Sequence, residues 1–202
     1  EIFVMNIRLL LLTDGNEQIM VAARNGFCCR FNEDDVRSMG RNSSGVKAIS
    51  IEDEDEVVGA LVINPAAEDF ASKTILVVSE NGFGKRSEPD EYRVTRRGAK
   101  GVKTINITEK TGPLVAIKAV TEDNDLMIIN RSGLTIRMSV AEIRVAGRAT
   151  QGVKLINLRE GDSIAAVSPV ARSDEDAAAA AQEGTEATEQ QAAETAVDVN
   201  NE

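Results

Sequence analysis

Three times along the chain two glycines stand 19 residues apart: Gly26 and Gly45, Gly82 and Gly101, Gly133 and Gly152. No gap is needed between them, and other columns align on the same register. Arg30, Arg86 and Arg137 fill one column, Arg37, Arg93 and Arg144 a second, Arg41, Arg97 and Arg148 a third, and Lys47, Lys103 and Lys154 a fourth. A self-similar period of 51 to 56 residues between equivalent glycines constrains the fold more than composition does. Each unit must be one supersecondary block that buries its apolar face only by stacking on a neighbour.

The units run over 18–63, 73–120 and 125–170, and each reads as four short strands. In the second, Thr74 to Val78 forms an apolar run that ends at the turn Glu80-Asn81-Gly82. Asn-Gly is a strong hairpin signal because both residues tolerate positive φ. Phe83 to Arg86 return as the second strand. Ile105 and Ile107 flank Asn106 with the period-2 alternation of a third strand, as Ile49 and Ile51 flank Ser50 and as Ile156 and Leu158 flank Asn157. Leu114 to Val120 make the fourth. The expected class is all-β: four-stranded blades arranged as in a propeller. Such rings close with four to eight blades, so three units and a leading strand over 4–12 predict a partial ring. The predicted boundaries are 1–17 for the end of a preceding blade, 18–72, 73–124 and 125–172 for three blades with their linkers, and 173–202 for a tail. With Glu1 in place of an initiator Met, the chain reads as a piece of a longer protein.

Charge sharpens this division. The formal net charge is -10, but residues 171–202 hold one Arg against nine acids, so the body is nearly neutral. The tail is rich in Ala, Glu, Gln and Thr and poor in large apolar groups, a composition that predicts disorder. Leu9 to Leu12 is far too short to span a bilayer, which takes about 20 residues, so no membrane segment is expected. Cys28 and Cys29 are adjacent and would point to opposite faces of a strand. They are expected as buried free thiols of a reducing, cytoplasmic environment.

Little chemistry is on offer. The chain has no His, which removes the commonest general base and metal ligand. Tyr92 shares its column with Val36 and Ile143 and is expected to pack, not react. Gly147 to Gly152 has the outline of a phosphate loop, but Val153 replaces the required Lys and a strand follows instead of a helix. The basic residues are more informative. Unit 1 nets -3, unit 2 nets +5 and unit 3 nets +2. Unit 2 gains its excess through Lys85, Arg96, Lys100, Lys110 and Lys118. An excess of cations on one unit of an acidic protein predicts a polyanionic partner. With few stacking aromatics and no groove-reading helix, the expected contacts are to a duplex backbone. The shared arginine columns are expected to build the blade, helped by the acidic column Asp35, Glu91 and Glu142.

Asn81-Gly82-Phe83-Gly84-Lys85-Arg86, Arg97-Gly98-Ala99-Lys100-Gly101-Val102 and Gly147-Arg148-Ala149-Thr150-Gln151-Gly152-Val153 resemble the C-terminal, DNA-wrapping domain of the A subunit of bacterial DNA gyrase, a β-pinwheel usually of six blades. Thr95 to Gly101 matches five of the seven positions of that family's Gln-Arg-Arg-Gly-Gly-Lys-Gly signature, as a degenerate copy. The resemblance implies double-stranded DNA bound by its backbone at Lys85, Arg86, Arg96, Arg97, Lys100, Lys103, Arg148 and Lys154. Of these, Arg97 and Lys103 belong to the repeat's skeleton, while Arg96 and Lys100 are additions of unit 2. It also implies partners in the remaining blades, in the rest of the gyrase A polypeptide and in the gyrase B polypeptide, joined as an A2B2 complex. No catalytic residue, metal or cofactor is expected here, because ATP and magnesium serve other parts of such an enzyme. The acidic tail is expected to temper wrapping. The equivalent domain of topoisomerase IV, a decatenating enzyme, and a propeller-type protein-binding scaffold are the other readings the sequence admits.

Overall fold

The computed structural model of the chain describes residues 10–172. The expected tail over 173–202 and residues 4–9 of the expected leading strand lie outside the described residues. Leu10 to Leu12 are exposed and form no strand. Contacts group the chain into one unit ending at Pro169 and another beginning at Val170, of which only 170–172 are described.

The hairpins form where the apolar runs predict them: β1 (Gln18–Ala23) with β2 (Phe27–Asn32), β4 (Thr74–Ser79) with β5 (Phe83–Ser87), and β8 (Asn124–Asn130) with β9 (Thr135–Ser139). Their turns differ from a two-residue Asn-Gly turn. In the first two hairpins three residues bridge the strands, closed by a bond from the glycine N–H: Gly26 to Ala23 O at 3.0 Å, Gly82 to Ser79 O at 3.1 Å. Only the glycine has positive φ, 81° at Gly82. That is the three-residue hairpin loop, in which a single left-handed residue restores the strand twist. Strands β3 (Val57–Ile63) and β7 (Leu114–Val120) pair antiparallel with β1 and β4, and β11 (Ile164–Ala171) joins β8.

The third strand is where the sequence grouping needs correction. Periodicity assigns four strands to one unit, whereas each complete sheet draws its strands from two units. Strand β6 (Val102–Lys103) comes from the second unit but pairs with β2, with Cys28 opposite Val102. Strand β10 (Val153–Lys154), from the third unit, pairs with β5, with Gly84 opposite Val153. The sheets therefore run β3-β1-β2-β6, β10-β5-β4-β7 and β11-β8-β9. The donated strands are only two residues long. The Ile105–Ile107 alternation belongs instead to an irregular segment tucked beneath the preceding hairpin, where Thr104 N–H donates to Gly26 O at 2.8 Å. Among the described residues the third sheet has three strands.

This exchange decides where the core lies. Met20, Ala22, Cys28, Ile75, Val77, Tyr92, Val102 and Ile117 form one buried cluster between the first and second sheets. Leu76, Val78, Leu126, Ile128, Val140, Ile143 and Ile164 form the next. Alternate residues of β4 face the two clusters, so all six of its residues are buried. A strand sandwiched on both faces reads as a continuous apolar run, and Thr74-Ile75-Leu76-Val77-Val78-Ser79 is one. Cys28 and Cys29 are buried and free, on opposite faces as expected. Tyr92 is buried with its hydroxyl 2.6 Å from Thr104 Oγ1, a packing residue with its polar end satisfied.

Candidate nucleic-acid interface

The three arginine columns do different work. Arg30 and Arg86 leave their strands inward and reach forward into the next unit. The Arg30 guanidinium donates to Pro89 O at 2.6 Å and Tyr92 O at 2.9 Å. Arg86 donates to Ile143 O at 2.7 Å and to the Glu122 carboxylate at 3.2 Å. Arg97 and Arg148 reach back. Arg97 donates to Asp35 O at 2.9 Å and Lys47 O at 2.6 Å, and Arg148 to Glu91 O at 3.0 Å and Lys103 O at 2.8 Å. Each junction between units is thus stapled by two guanidiniums that donate to backbone carbonyls of turns and loops and, at Lys103, of the short strand β6 (Val102–Lys103).

The second column, Arg37, Arg93 and Arg144, is exposed in every unit. The pairing expected with Asp35, Glu91 and Glu142 does not form, and among the described residues these three side chains make no hydrogen bond or ion pair. The Glu91 carboxylate instead accepts the Arg148 N–H at 2.7 Å. The local backbone explains the exposure. Val36, Tyr92 and Ile143 sit in extended conformation just after short 3-10 turns, with φ from -108° to -83°. Tyr92 and Ile143 are buried and Val36 is half-buried, so the next side chain points the opposite way, into solvent. The sequence carries that signal, since an apolar column next to an arginine column in extended chain dictates the direction.

The eight expected contact residues scatter. Lys85 is fully buried, its ammonium donating to Ser87 Oγ at 2.7 Å. Burial pulls its pKa down to about 8, against the opposing charge of Glu91 and with a smaller push from Arg148. Arg86 is 3% exposed. A contact role does not fit these two positions, whose cations are spent inside the blade. Arg97 and Arg148 are half-buried staples. Lys100 is exposed but engaged, 2.8 Å from Glu52 Oε1 and 4.9 Å over the Phe27 ring. That bond holds the Glu52 carboxyl below the usual range. Lys103 is exposed and bonded to Asn106 Oδ1 at 3.2 Å. Arg96 and Lys154 are exposed, without a side-chain partner among the described residues. Lys118 lies in a cleft of about 300 Å³ between β3, β7 and β11, away from the others. Among the described residues the exposed cations without an ion pair thus include Arg37, Arg93 and Arg144, a row repeated from unit to unit, and beside them Arg41, Lys47, Arg96, Lys110, Lys154 and Arg159, so the free charge is not confined to the second unit.

No group of three or more acidic, Cys or His side chains able to hold a metal occurs among the described residues. No helix there is long and apolar enough to cross a membrane.

Comparison with known proteins gives the same repeat a family. The model for the DNA gyrase C-terminal domain, beta-propeller, matches residues 17–64, 73–121 and 124–171. The DNA gyrase A subunit of Staphylococcus epidermidis is 43% identical over 164 residues, 81% of this chain but 18% of the relative. That of Staphylococcus aureus is 42% identical over 165 residues, covering 82% of this chain and 18% of the relative. The chain thus spans less than a fifth of these relatives. A solved DNA gyrase A C-terminal domain superposes with a TM-score of 0.69 at 26% identity, over 78% of this chain and 52% of that one. The C-terminal domain of DNA topoisomerase IV superposes with a TM-score of 0.73 over 87% and 53%, a likeness of fold alone at 20% identity.

Proposed function

Since the chain belongs to the family of DNA gyrase C-terminal β-propeller domains, we propose that it binds duplex DNA along the edge where Arg37, Arg93 and Arg144 recur, and wraps it there. One observation carries this reading: at the same position of each unit stands an arginine with no partner among the described residues. A row of equivalent cations on stacked units offers charge at a regular interval, which suits a regularly charged polyanion and carries no base readout.

In such an arrangement the blades are rigid posts and the guanidiniums meet phosphates. Wrapping then follows from successive units each taking one contact. The parent would be the gyrase A polypeptide of a type II topoisomerase, joined to the gyrase B polypeptide in an A2B2 complex, with ATP and magnesium used outside this segment. There, wrapped DNA presented in one handedness would support ATP-dependent negative supercoiling. This segment supplies binding and geometry to that reaction.

The reading is tested by neutralising the row. Arg37→Gln, Arg93→Gln and Arg144→Gln together are expected to lower duplex affinity about tenfold. They should also reduce the slope of log K against log salt by about 2.7, or 0.9 for each phosphate contact removed. The melting temperature should hold, because exposed substitutions usually change stability by less than about 0.5 kcal/mol. An unchanged salt slope in fluorescence anisotropy would remove the row from the interface.

A further inference from the structure

The two seams between sheets are built alike but charged differently. At the first, the donated strand β6 places Lys103 opposite Phe27, and Lys100 lies over that ring. At the second, β10 places Lys154 opposite Phe83, and Lys110 lies 5.3 Å over the ring. The first seam is neutralised: Lys100 is bonded to Glu52, at the head of the acidic run Glu52-Asp53-Glu54-Asp55-Glu56.

The second seam has no such counter-charge. There a cavity of about 300 Å³ is lined by Asn81, Phe83, Lys110, Lys154, Leu158, Arg159 and Asp162. Lys110, Lys154 and Arg159 are all exposed, and none has an ion-pair partner among the described residues. The acid in the lining is engaged elsewhere. Asp162 accepts from Ser132 Oγ at 2.9 Å and from the Ser163 N–H at 2.8 Å, and also from Asn130 Nδ2. Desolvation works to raise its pKa, but the bonds from Ser132 and the Ser163 N–H together outweigh it and hold the carboxyl below the usual range. Three free cations from two units thus converge on one concavity with an aromatic floor. The units supply them unequally: Glu54 and Lys110 occupy corresponding loops, as do Thr108 and Arg159.

We propose that the second seam, formed by Lys110, Lys154 and Arg159, is a phosphodiester clamp for the DNA backbone, and that the first seam is held closed to phosphate by the Glu52–Lys100 pair. This rests on the DNA-binding reading above and adds to it a fixed point on the duplex path. The clamp grips at one seam only, so the bound duplex is anchored asymmetrically along the repeat.

The test uses the full chain and a labelled duplex, with salt titrations by anisotropy. Lys110→Gln, Lys154→Gln and Arg159→Gln combined should lower affinity about tenfold and the salt slope by about 2.7. Glu52→Gln should raise affinity and steepen the slope by about 0.9, as Lys100 becomes free. If the seam variant binds like the parent while the Arg37, Arg93 and Arg144 variant is weakened, the clamp is wrong and the row stands. A parent chain that binds no duplex at all sinks the DNA reading itself. Competition by tripolyphosphate separates the remaining source of phosphate. If tripolyphosphate binds the parent tightly, loses that binding in the seam variant, and duplex affinity is the same in both, the cavity is a small-anion site and the proposal fails.

Discussion

Gly101→Ala is expected to cost about 4 kcal/mol of folding stability, roughly a 10 °C fall in melting temperature for a chain of this size. Gly45→Ala should cost only about 1 kcal/mol. Both glycines occupy the same column with nearly the same backbone, φ 82° and 77°. Each variant therefore incurs the left-handed penalty of about 1 kcal/mol for an L side chain. The difference is what the new methyl meets. At Gly101 an added Cβ overlaps the Cys28 carbonyl oxygen, and would lie 2.5 Å from its carbon and 2.8 Å from Cys29 N. These are backbone atoms of β2, which cannot yield without breaking the pairing of β6 with β2. Forced overlap in a packed region typically adds about 1 to 3 kcal/mol or more. At Gly45 nothing lies within 4 Å. Gly152, with Gly84 O at 2.6 Å, should behave like Gly101. Thermal unfolding of the three variants measures the ranking directly. Equal losses at Gly45 and Gly101 would mean that the close approach of donated strand to preceding sheet is unimportant to stability.

The same column shows what the sequence can and cannot reveal. The 19-residue glycine spacing is plain, but it locates two glycines without saying which neighbour each serves. Gly82 closes a hairpin within its own unit, while Gly101 admits the backbone of the preceding one. Both look identical in a one-dimensional pattern, because positive φ and close approach each select glycine. The continuous apolar run of β4 correctly foretells a strand buried on both faces. Strand exchange leaves no comparable trace, since β6 and β10 are two residues long and period-2 alternation is not resolvable over two positions.

The basic residues mislead for a related reason. Composition registers a charge but not where its far end goes, and Lys and Arg have stems long enough to bring it inside. Arg30 and Arg86 lie in strands packed against the core, and carbonyls of the next unit's turn draw their guanidiniums inward. Arg93 sits one residue beyond buried Tyr92, and extended backbone sends it outward. Repetition across units reads as a mark of architecture, yet a repeated surface site repeats as faithfully as a repeated staple. What separates them is the partner: Arg86 meets Ile143 O, Arg148 meets Lys103 O, and Arg144 meets solvent.

Lys85→Met is expected to raise stability at neutral pH by roughly 2 kcal/mol. The position is occupied by Cys29 in the first unit and Ile136 in the third, so the site accepts an apolar side chain. In the second unit it holds an ammonium buried to 0% exposure, with a pKa near 8 against an ordinary 10.5. Such a difference corresponds to a cost of about 3 kcal/mol while the group stays protonated. Loss of the Ser87 hydrogen bond offsets about 1 kcal/mol of the gain, and Ser87 Oγ keeps its own bond to Ala146 O at 2.7 Å. Because the folded pKa is depressed, the unfolded chain binds more protons at Lys85 between about pH 8 and 10.5, and the contribution of this group to stability rises with pH there. Cys28 and Tyr92 act in the opposite direction. Burial raises both above their ordinary 9.0 and 10.0, so the unfolded state loses their protons first and stability falls above about pH 9. The parent should therefore gain about 1 kcal/mol between about pH 7 and 9 and lose it beyond, while the methionine variant should show only the loss. Urea unfolding across that range reads both curves. A flat parent profile, or a less stable variant at neutral pH, would mean that Glu91 compensates the buried ammonium fully and that Lys85 strengthens the second blade.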